Sequence, residues 1–227
     1  IKVAKENIPF VFGRSFFGFV GMMANFYALE NLTMAEANML NKLSPVFVTI
    51  CACIFLKEKV DKKQVMGIIL MLVAVVFVIK PSFSPEVIPS LAGLFSAVLA
   101  GFSYTIIRYL YGKVKAEINV FYFSLLSVVC TFPLMMMNFV KPNLFETFML
   151  IVGIGVSAAM GQFGLTYAYT FAPASEVSIY NYVIIITSML MDYILFSTIP
   201  DLFSFIGGFI IMTTAIYLYL HNKKKEE

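Results

Sequence analysis

Residues 64–80 read QVMGIILMLVAVVFVIK, and no charged or strongly polar side chain occurs between Met66 and Ile79. A helix needs about 20 mostly apolar residues to cross the hydrocarbon of a bilayer. Similar stretches recur along the chain, which has 227 residues, of which 60% are hydrophobic and 13% are charged. An ordinary soluble domain has roughly 25% charged residues. The composition therefore excludes a soluble enzyme, a nucleic-acid-binding protein and a disordered protein, and it indicates an integral membrane protein.

The whole chain is predicted to fold into eight membrane-spanning helices. Each stretch is long and nearly continuous, and the alternating pattern of a transmembrane barrel does not occur in it. The predicted helices cover roughly residues 9–29, 34–56, 64–80, 89–111, 118–138, 147–170, 174–197 and 202–221. The predicted fold class is therefore an all-α integral membrane protein.

Basic residues are distributed unequally between the two predicted sides of the membrane. When the termini and every second connection are placed on one side, that side has twelve basic residues and the other has only Lys80 and Lys141. Cytoplasmic loops carry an excess of Lys and Arg. We therefore expect a multi-pass protein of the cell (inner or plasma) membrane with both termini in the cytoplasm, where residues 222–227 form a basic tail.

An internal repeat relates the first three predicted helices to the last three at an offset of 140 residues. Identical pairs at this offset include Tyr27 and Tyr167, Glu36 and Glu176, Asn41 and Asn181, and Asp61 and Asp201. The offset displaces each helix by five places, so the two copies cross the membrane in opposite directions. Such inverted repeats are common in secondary transporters.

The repeat also predicts the domain organisation. Residues 1–80 would supply three helices of the first repeat, and residues 81–221 would supply all five helices of the second. The complete arrangement would be a ten-helix bundle of five plus five helices. We therefore expect two further helices to precede Ile1.

The stretch YALENLTMAEA at 27–37, followed by LSPVF at 43–47, resembles the EamA-type drug/metabolite transporter family. The Lys57-Glu58-Lys59 segment, the helix that contains Gly67, and Arg14 fit the same pattern. The resemblance implies ten helices, cytoplasmic termini, and a central substrate cavity that opens alternately to the two sides. The second copy departs from the first, because Ile185 stands at the position that matches Pro45.

These features predict a secondary transporter, an exporter or exchanger, of a small organic metabolite or amino-acid-like solute. A membrane channel and a non-transporting scaffold or assembly protein are the alternatives. An intramembrane enzyme is not expected, because the one histidine is His221 in the tail and no paired aspartates lie within a span. We expect no cofactor, no metal and no nucleic acid; the partners are the solute and the lipid bilayer, and a homodimer is left open.

Polar residues within the predicted spans are the candidates for the cavity, because an ionisable group there is costly and usually faces a cavity or a partner. Lys42 lies deep in the second predicted helix and shares a helical face with Asn38, Asn41 and Pro45. Gln162 gives the sixth predicted helix a polar inner end. The predicted cavity residues are Asn38, Asn41, Lys42, Pro45, Tyr104, Ser178, Asn181 and Tyr182. The alternatives are hydrogen bonding between helices and, for Lys42, extension of its side chain to the interface.

Three further residues are candidates for gating or coupling. Arg14 would gate the cavity or steer the substrate, or else anchor its helix at the interface. Glu36 and Glu176 would couple transport to protons, or else stabilise the helix N-termini in which they lie. Asp192 is predicted to be interfacial. The small residues Gly153, Ser157 and Gly161 recur at every fourth position and predict close helix packing.

Overall fold

The computed structural model describes residues 3–55, 61–79, 87–137, 139–171, 183–198 and 201–226, and these residues contain helices but no strand. The helices are α1 (Ile8–Asn31), α2 (Met34–Asn41), α3 (Ser44–Phe55), α4 (Lys62–Ile79), α5 (Val87–Tyr109), α6 (Ala116–Met137), α7 (Leu144–Phe148), α8 (Ser157–Phe171), α9 (Val183–Phe196) and α10 (Leu202–Glu226). A π-helical segment, Met149–Val156, joins α7 to α8 without a break.

Five helical stretches of the described chain are long and apolar enough to cross a membrane. They are Met34–Phe55, Val87–Tyr109, Ala116–Met137, Leu144–Ala168 and Leu202–His221. The predicted all-α membrane class is therefore confirmed. Eight full spans and the five-plus-five repeat stay predictions, and the first part of the seventh predicted helix, at 174–182, lies outside the described residues.

The second predicted helix is divided into α2 and α3 by a break at Lys42 and Leu43. The Lys42 amide closes the last turn of α2 by donating to the Asn38 carbonyl at 2.9 Å. Pro45 has no N–H, so it cannot donate to the Asn41 carbonyl and continue the α-helical ladder. Proline is well tolerated in the first turn of a helix, and here it stands at the start of α3.

The start of α2 is fixed by hydrogen bonds from two directions. Thr33 and Glu36 form a capping box, in which each side chain accepts from the other residue's backbone amide. The Asp192 carboxylate of α9 also accepts from the amides of Met34, at 3.1 Å, and Ala35, at 2.6 Å. Asp192 is only 2% exposed. Asp192 is therefore buried inside the bundle, where its carboxylate satisfies amide donors at the start of a different helix; its predicted position at the membrane interface stays a prediction.

The bundle is organised around α5, which packs against α1 and α3. At the crossing with α3, a Cβ on Gly101 would lie 2.5 Å from Cβ of Phe47 and 3.2 Å from the Val48 nitrogen. Only glycine lets the two helices approach this closely. A second contact joins α4 to α10, and the apolar core between the elements includes Met39 and Leu43.

The segment from Leu144 to Gly161 lies at the margin of the described bundle. Among the described residues, nothing lies within 4 Å of a Cβ built on Gly153 or Gly161. Gly153 and Gly161 therefore pack against no helix of the described bundle, and the close packing predicted for them is not observed there. In the described bundle the tight glycine contacts are on α1, α4, α5 and α10 instead.

Candidate functional site

A polar cavity of about 200 Å³ lies between α1 and α5 and is completed by α2, α6 and α8. Its lining residues are Arg14, Gly18, Gly21, Met22, Asn25, Asn41, Ser96, Ala100, Ser103, Tyr104, Phe123 and Gln162. Three of the residues singled out from the sequence, Arg14, Asn41 and Tyr104, therefore meet at one cavity, and Gln162 joins them from α8.

One face of α1 forms a wall of the cavity. Arg14, Gly18, Gly21 and Asn25 follow each other at spacings of four, three and four residues, so they lie along one side of the helix. The two glycines bring this wall close to α5: a Cβ on Gly18 would lie 3.2 Å from Oγ of Ser103. Arg14 and Asn25 stand at opposite ends of this face, about 16 Å apart along the helix axis.

Arg14 is the charged residue of the cavity, and its side chain is buried, with 1% exposed. Its guanidinium carbon lies 4.4 Å from the centroid of the Phe123 ring, a cation–π contact. Within the described part of the chain, Nε and Nη1 are buried and have no hydrogen-bond partner. Because burying a charge without partners is costly, two unpaired donors of a buried cation beside a cavity indicate a site for an acceptor.

Asn41, the last residue of α2, lines the cavity next to the break between α2 and α3. Its Nδ2 donates to Oγ of Ser96 on α5 at 2.9 Å, and that hydroxyl donates to the Gly93 carbonyl at 2.6 Å. The Ser103 hydroxyl donates to the Arg14 carbonyl at 3.1 Å. These bonds hold α1, α2 and α5 in register around the cavity.

The other predicted residues of α2 and α3 do not line the cavity in this conformation. Asn38 donates to the Met34 carbonyl and to Oγ of Ser188 on α9, at 2.8 and 2.9 Å. This is the alternative of hydrogen bonding between helices. Lys42 is half-buried at the C-terminal end of α2, and Pro45 accepts through its carbonyl from the Thr49 hydroxyl.

The predicted coupling residue Glu36 acts in the structure as a capping group. Beyond the capping box with Thr33, its Oε1 accepts from the Ser204 hydroxyl of α10 at 2.7 Å. This geometry matches the alternative of a carboxylate at a helix N-terminus. The predicted residues of the second copy, Glu176, Ser178, Asn181 and Tyr182, lie outside the described residues.

Sequence reasoning did not single out Asn25, Ser96 or Ser103. The signal that could have found them is their helical spacing relative to known candidates. Asn25 follows Arg14 by eleven residues, which is three turns on the same face, and Ser96 and Ser103 are seven residues apart on α5. Asn25 also has a buried Oδ1 without a hydrogen-bond partner among the described residues.

A larger cavity of about 890 Å³ lies between the N-terminal segment, α1 and α6. Its walls are mostly apolar and include Ile8, Val11, Phe12, Leu125 and Val129. It contains no convergent set of buried polar groups, so the smaller polar cavity is the candidate functional site.

Comparison with known proteins agrees with this architecture. A family model described as the EamA-like transporter family matches residues 2–80 and 88–220. The pseudopaline exporter of Pseudomonas aeruginosa is 27% identical over 219 residues, which are 96% of this chain and 77% of that protein. The S-adenosylmethionine uptake transporter of Rickettsia conorii is 25% identical over 228 residues, 97% of this chain and 75% of that protein. A crystal structure with 20% identity shares the fold at a TM-score of 0.63, covering 93% of this chain and 75% of the other.

Proposed function

Because this chain belongs to the EamA-like transporter family, we propose that it is a secondary transporter of a small organic metabolite or amino-acid-like solute. The observation that carries the proposal is the buried polar cavity at the break between α2 and α3. Transporters commonly place their substrate at discontinuous helices between structural repeats. The relatives include a named exporter and a named uptake transporter, and we propose export or exchange for this chain.

The broken helix suggests how the cavity changes access. The first half, α2, is hydrogen-bonded to α9 through Asp192 and through Asn38 with Ser188. The second half, α3, is packed on α5 at Gly101. The two halves therefore differ in one neighbour, α9, although α2 is also hydrogen-bonded to α5 through Asn41 and Ser96; Asn41, the last residue of α2, lines the cavity. We propose that α2 with α9 rocks against α3 with α5, which breaks the hydrogen bond between Asn41 and Ser96 and opens the cavity to one side of the membrane at a time.

The inverted repeat supports this mechanism from the sequence. Asp61 and Asp201, which match at the offset of 140, each cap the helix that follows. Asp61 accepts from the Gln64 amide at 2.8 Å, and Asp201 accepts from the Ser204 amide at 3.0 Å. Two halves with equivalent helix starts and opposite orientations would provide two nearly equivalent states, one open to each side.

Flux in proteoliposomes tests the proposal. Vesicles are preloaded with a mixture of amino acids and dicarboxylates, and uptake of the same radiolabelled solutes is compared with uptake into vesicles without preload. A transporter that exchanges solutes accumulates label faster in preloaded vesicles and does not admit labelled sucrose. A channel equilibrates the label regardless of preload, and a scaffold gives the flux of protein-free liposomes; either result would overturn the proposal.

A further inference from the structure

The cavity contains one basic side chain and no acidic side chain among its twelve described lining residues. That residue, Arg14, is one of two arginines in the sequence; the other is Arg108. The cation–π contact with Phe123 stabilises the charge of Arg14, but Nε and Nη1 have no acceptor among the described residues. The cavity is therefore positively charged, and it contains hydrogen-bond donors that have no acceptor in the described part of the chain.

We propose that Arg14 binds a carboxylate of the transported solute; this inference rests on the proposed function. A carboxylate supplies both what the guanidinium lacks, a negative charge and acceptor oxygens, and charge-assisted hydrogen bonds of this type are short and strong. A phosphoryl group carries a charge of about −1.5 to −2 at neutral pH. One arginine does not neutralise that charge, whereas it balances a single carboxylate.

The dimensions of the cavity define the size of the solute. Sites for drug-sized ligands have volumes of about 300–1,000 Å³, so a cavity of about 200 Å³ suits a smaller molecule. The other polar side chains of the cavity include amides and hydroxyls, from Asn25, Asn41, Tyr104 and Gln162. These groups hydrogen-bond to neutral or cationic parts of a solute without adding charge. The class that fits is a small monocarboxylate or an amino acid, with its carboxylate at Arg14.

Matched pairs of probes isolate the contribution of the carboxylate. The full chain in lipid nanodiscs is titrated by calorimetry with acetate and acetamide, L-lactate and lactamide, and L-alanine and L-alaninamide. The members of each pair have nearly the same shape and differ in charge. We expect at least one carboxylate to bind about ten-fold or more tightly than its amide, as hydrogen bonds to a charged group predict.

Variants of the two arginines assign that preference to a residue. Arg14→Gln should abolish the preference for the carboxylate, Arg14→Lys should retain part of it, and Arg108→Gln should leave it unchanged. Arg108→Gln makes the same chemical change at a position that does not line the cavity. Size-exclusion profiles show which of the three variants fold. If Arg14→Gln does not fold, the carboxylate preference of Arg14→Lys is compared with that of Arg108→Gln instead.

The inference is overturned if the wild-type protein prefers no carboxylate in the panel. It is also overturned if Arg14→Gln keeps the preference or if Arg108→Gln loses it. Flux separates this failure from failure of the proposed function. Wild-type proteoliposomes that move amides and carboxylates equally well would refute the carboxylate site and retain the transporter. Arg14-dependent carboxylate binding without any flux would refute the transporter and retain the site.

Discussion

The Asp192 carboxylate on α9 accepts a hydrogen bond of 2.6 Å from the backbone amide of Ala35 at the start of α2. The two residues are 157 positions apart in the sequence, and the bond is buried. It joins the first half of the broken helix to the C-terminal part of the chain. The cavity geometry therefore depends on a contact between the two predicted repeats.

Replacing Asp192 should destabilise the protein substantially. Asp192→Ala leaves the amides of Met34 and Ala35 without their acceptor, and an unsatisfied buried polar group costs about 1–3 kcal/mol. We expect a loss of about 2 kcal/mol or more, measured as a lowered thermal unfolding midpoint in detergent. Asp201→Ala is the matched control, because Asp201 caps α10 from an exposed position and losing such a cap costs about 1 kcal/mol. Equal shifts for the two variants would contradict the structural role of Asp192.

A methyl group at Gly101 should separate α3 from α5. Gly101→Ala would place its Cβ 2.5 Å from that of Phe47, and overpacking of this kind costs about 1–3 kcal/mol. The thermal unfolding midpoint should fall accordingly. Gly153→Ala should not lower it, since no described residue lies within 4 Å of that position. A stable Gly101→Ala variant would show that the two helices do not cross as described.

The break before α3 should be removable by mutation at Pro45. Pro45→Ala supplies the N–H that can donate to the Asn41 carbonyl, which favours one continuous helix across residues 34–55. We expect exchange flux to fall at least several-fold because the two halves can no longer move separately, while the unfolding midpoint does not fall. Thr49→Ala, one turn later, removes a side-chain hydrogen bond within α3 and serves as the control. Unchanged flux in Pro45→Ala would show that transport does not need the break.

Lys42 lies at this break, and its function stays a prediction from the sequence. Lys42 is the C-cap residue of α2, and a cation is favourable at the C-terminal end of a helix. We expect Lys42→Ala to abolish flux while expression and membrane insertion stay normal. Lys141→Ala, at an exposed position between α6 and α7, should have no effect. Wild-type flux in Lys42→Ala would exclude a role for Lys42 in substrate recognition.

The sequence was sufficient to predict the helical membrane class, because twenty-residue apolar stretches have few other uses. It also identified Arg14, Asn41 and Tyr104, since polar groups inside spans are rare and costly. Which neighbouring helix each side chain contacts was harder to predict. Asn38 and Asn41 share the predicted face, but the first donates to Ser188 on α9 and the second to Ser96 on α5. Which neighbour meets each side of α2 depends on helix packing, which spacing alone does not encode.

Contacts between residues that are far apart in the sequence could not be predicted from it. Asp192 resembles an interfacial acid near a helix end, and only the fold brings the amide of Ala35 to it. Gly153 and Gly161 have the same spacing as residues that pack closely, yet they lie at the margin of the described bundle. Small residues permit close approach, but the position of the neighbouring helix decides whether approach occurs.

The most direct test of the account is whether the cavity opens to each side of the membrane in turn. Ser103→Cys is introduced into a protein whose Cys51, Cys53 and Cys130 are replaced by Ala, and an impermeant maleimide is applied to right-side-out and to inverted vesicles. Thr105→Cys is the control, being equally buried on α5 and absent from the cavity lining.

Alternating access predicts that the thiol at position 103 is labelled from both sides, that the thiol at position 105 is labelled from neither, and that the vesicles stay impermeable to sucrose. Labelling of position 103 from neither side, or labelling accompanied by a sucrose leak, would contradict the account.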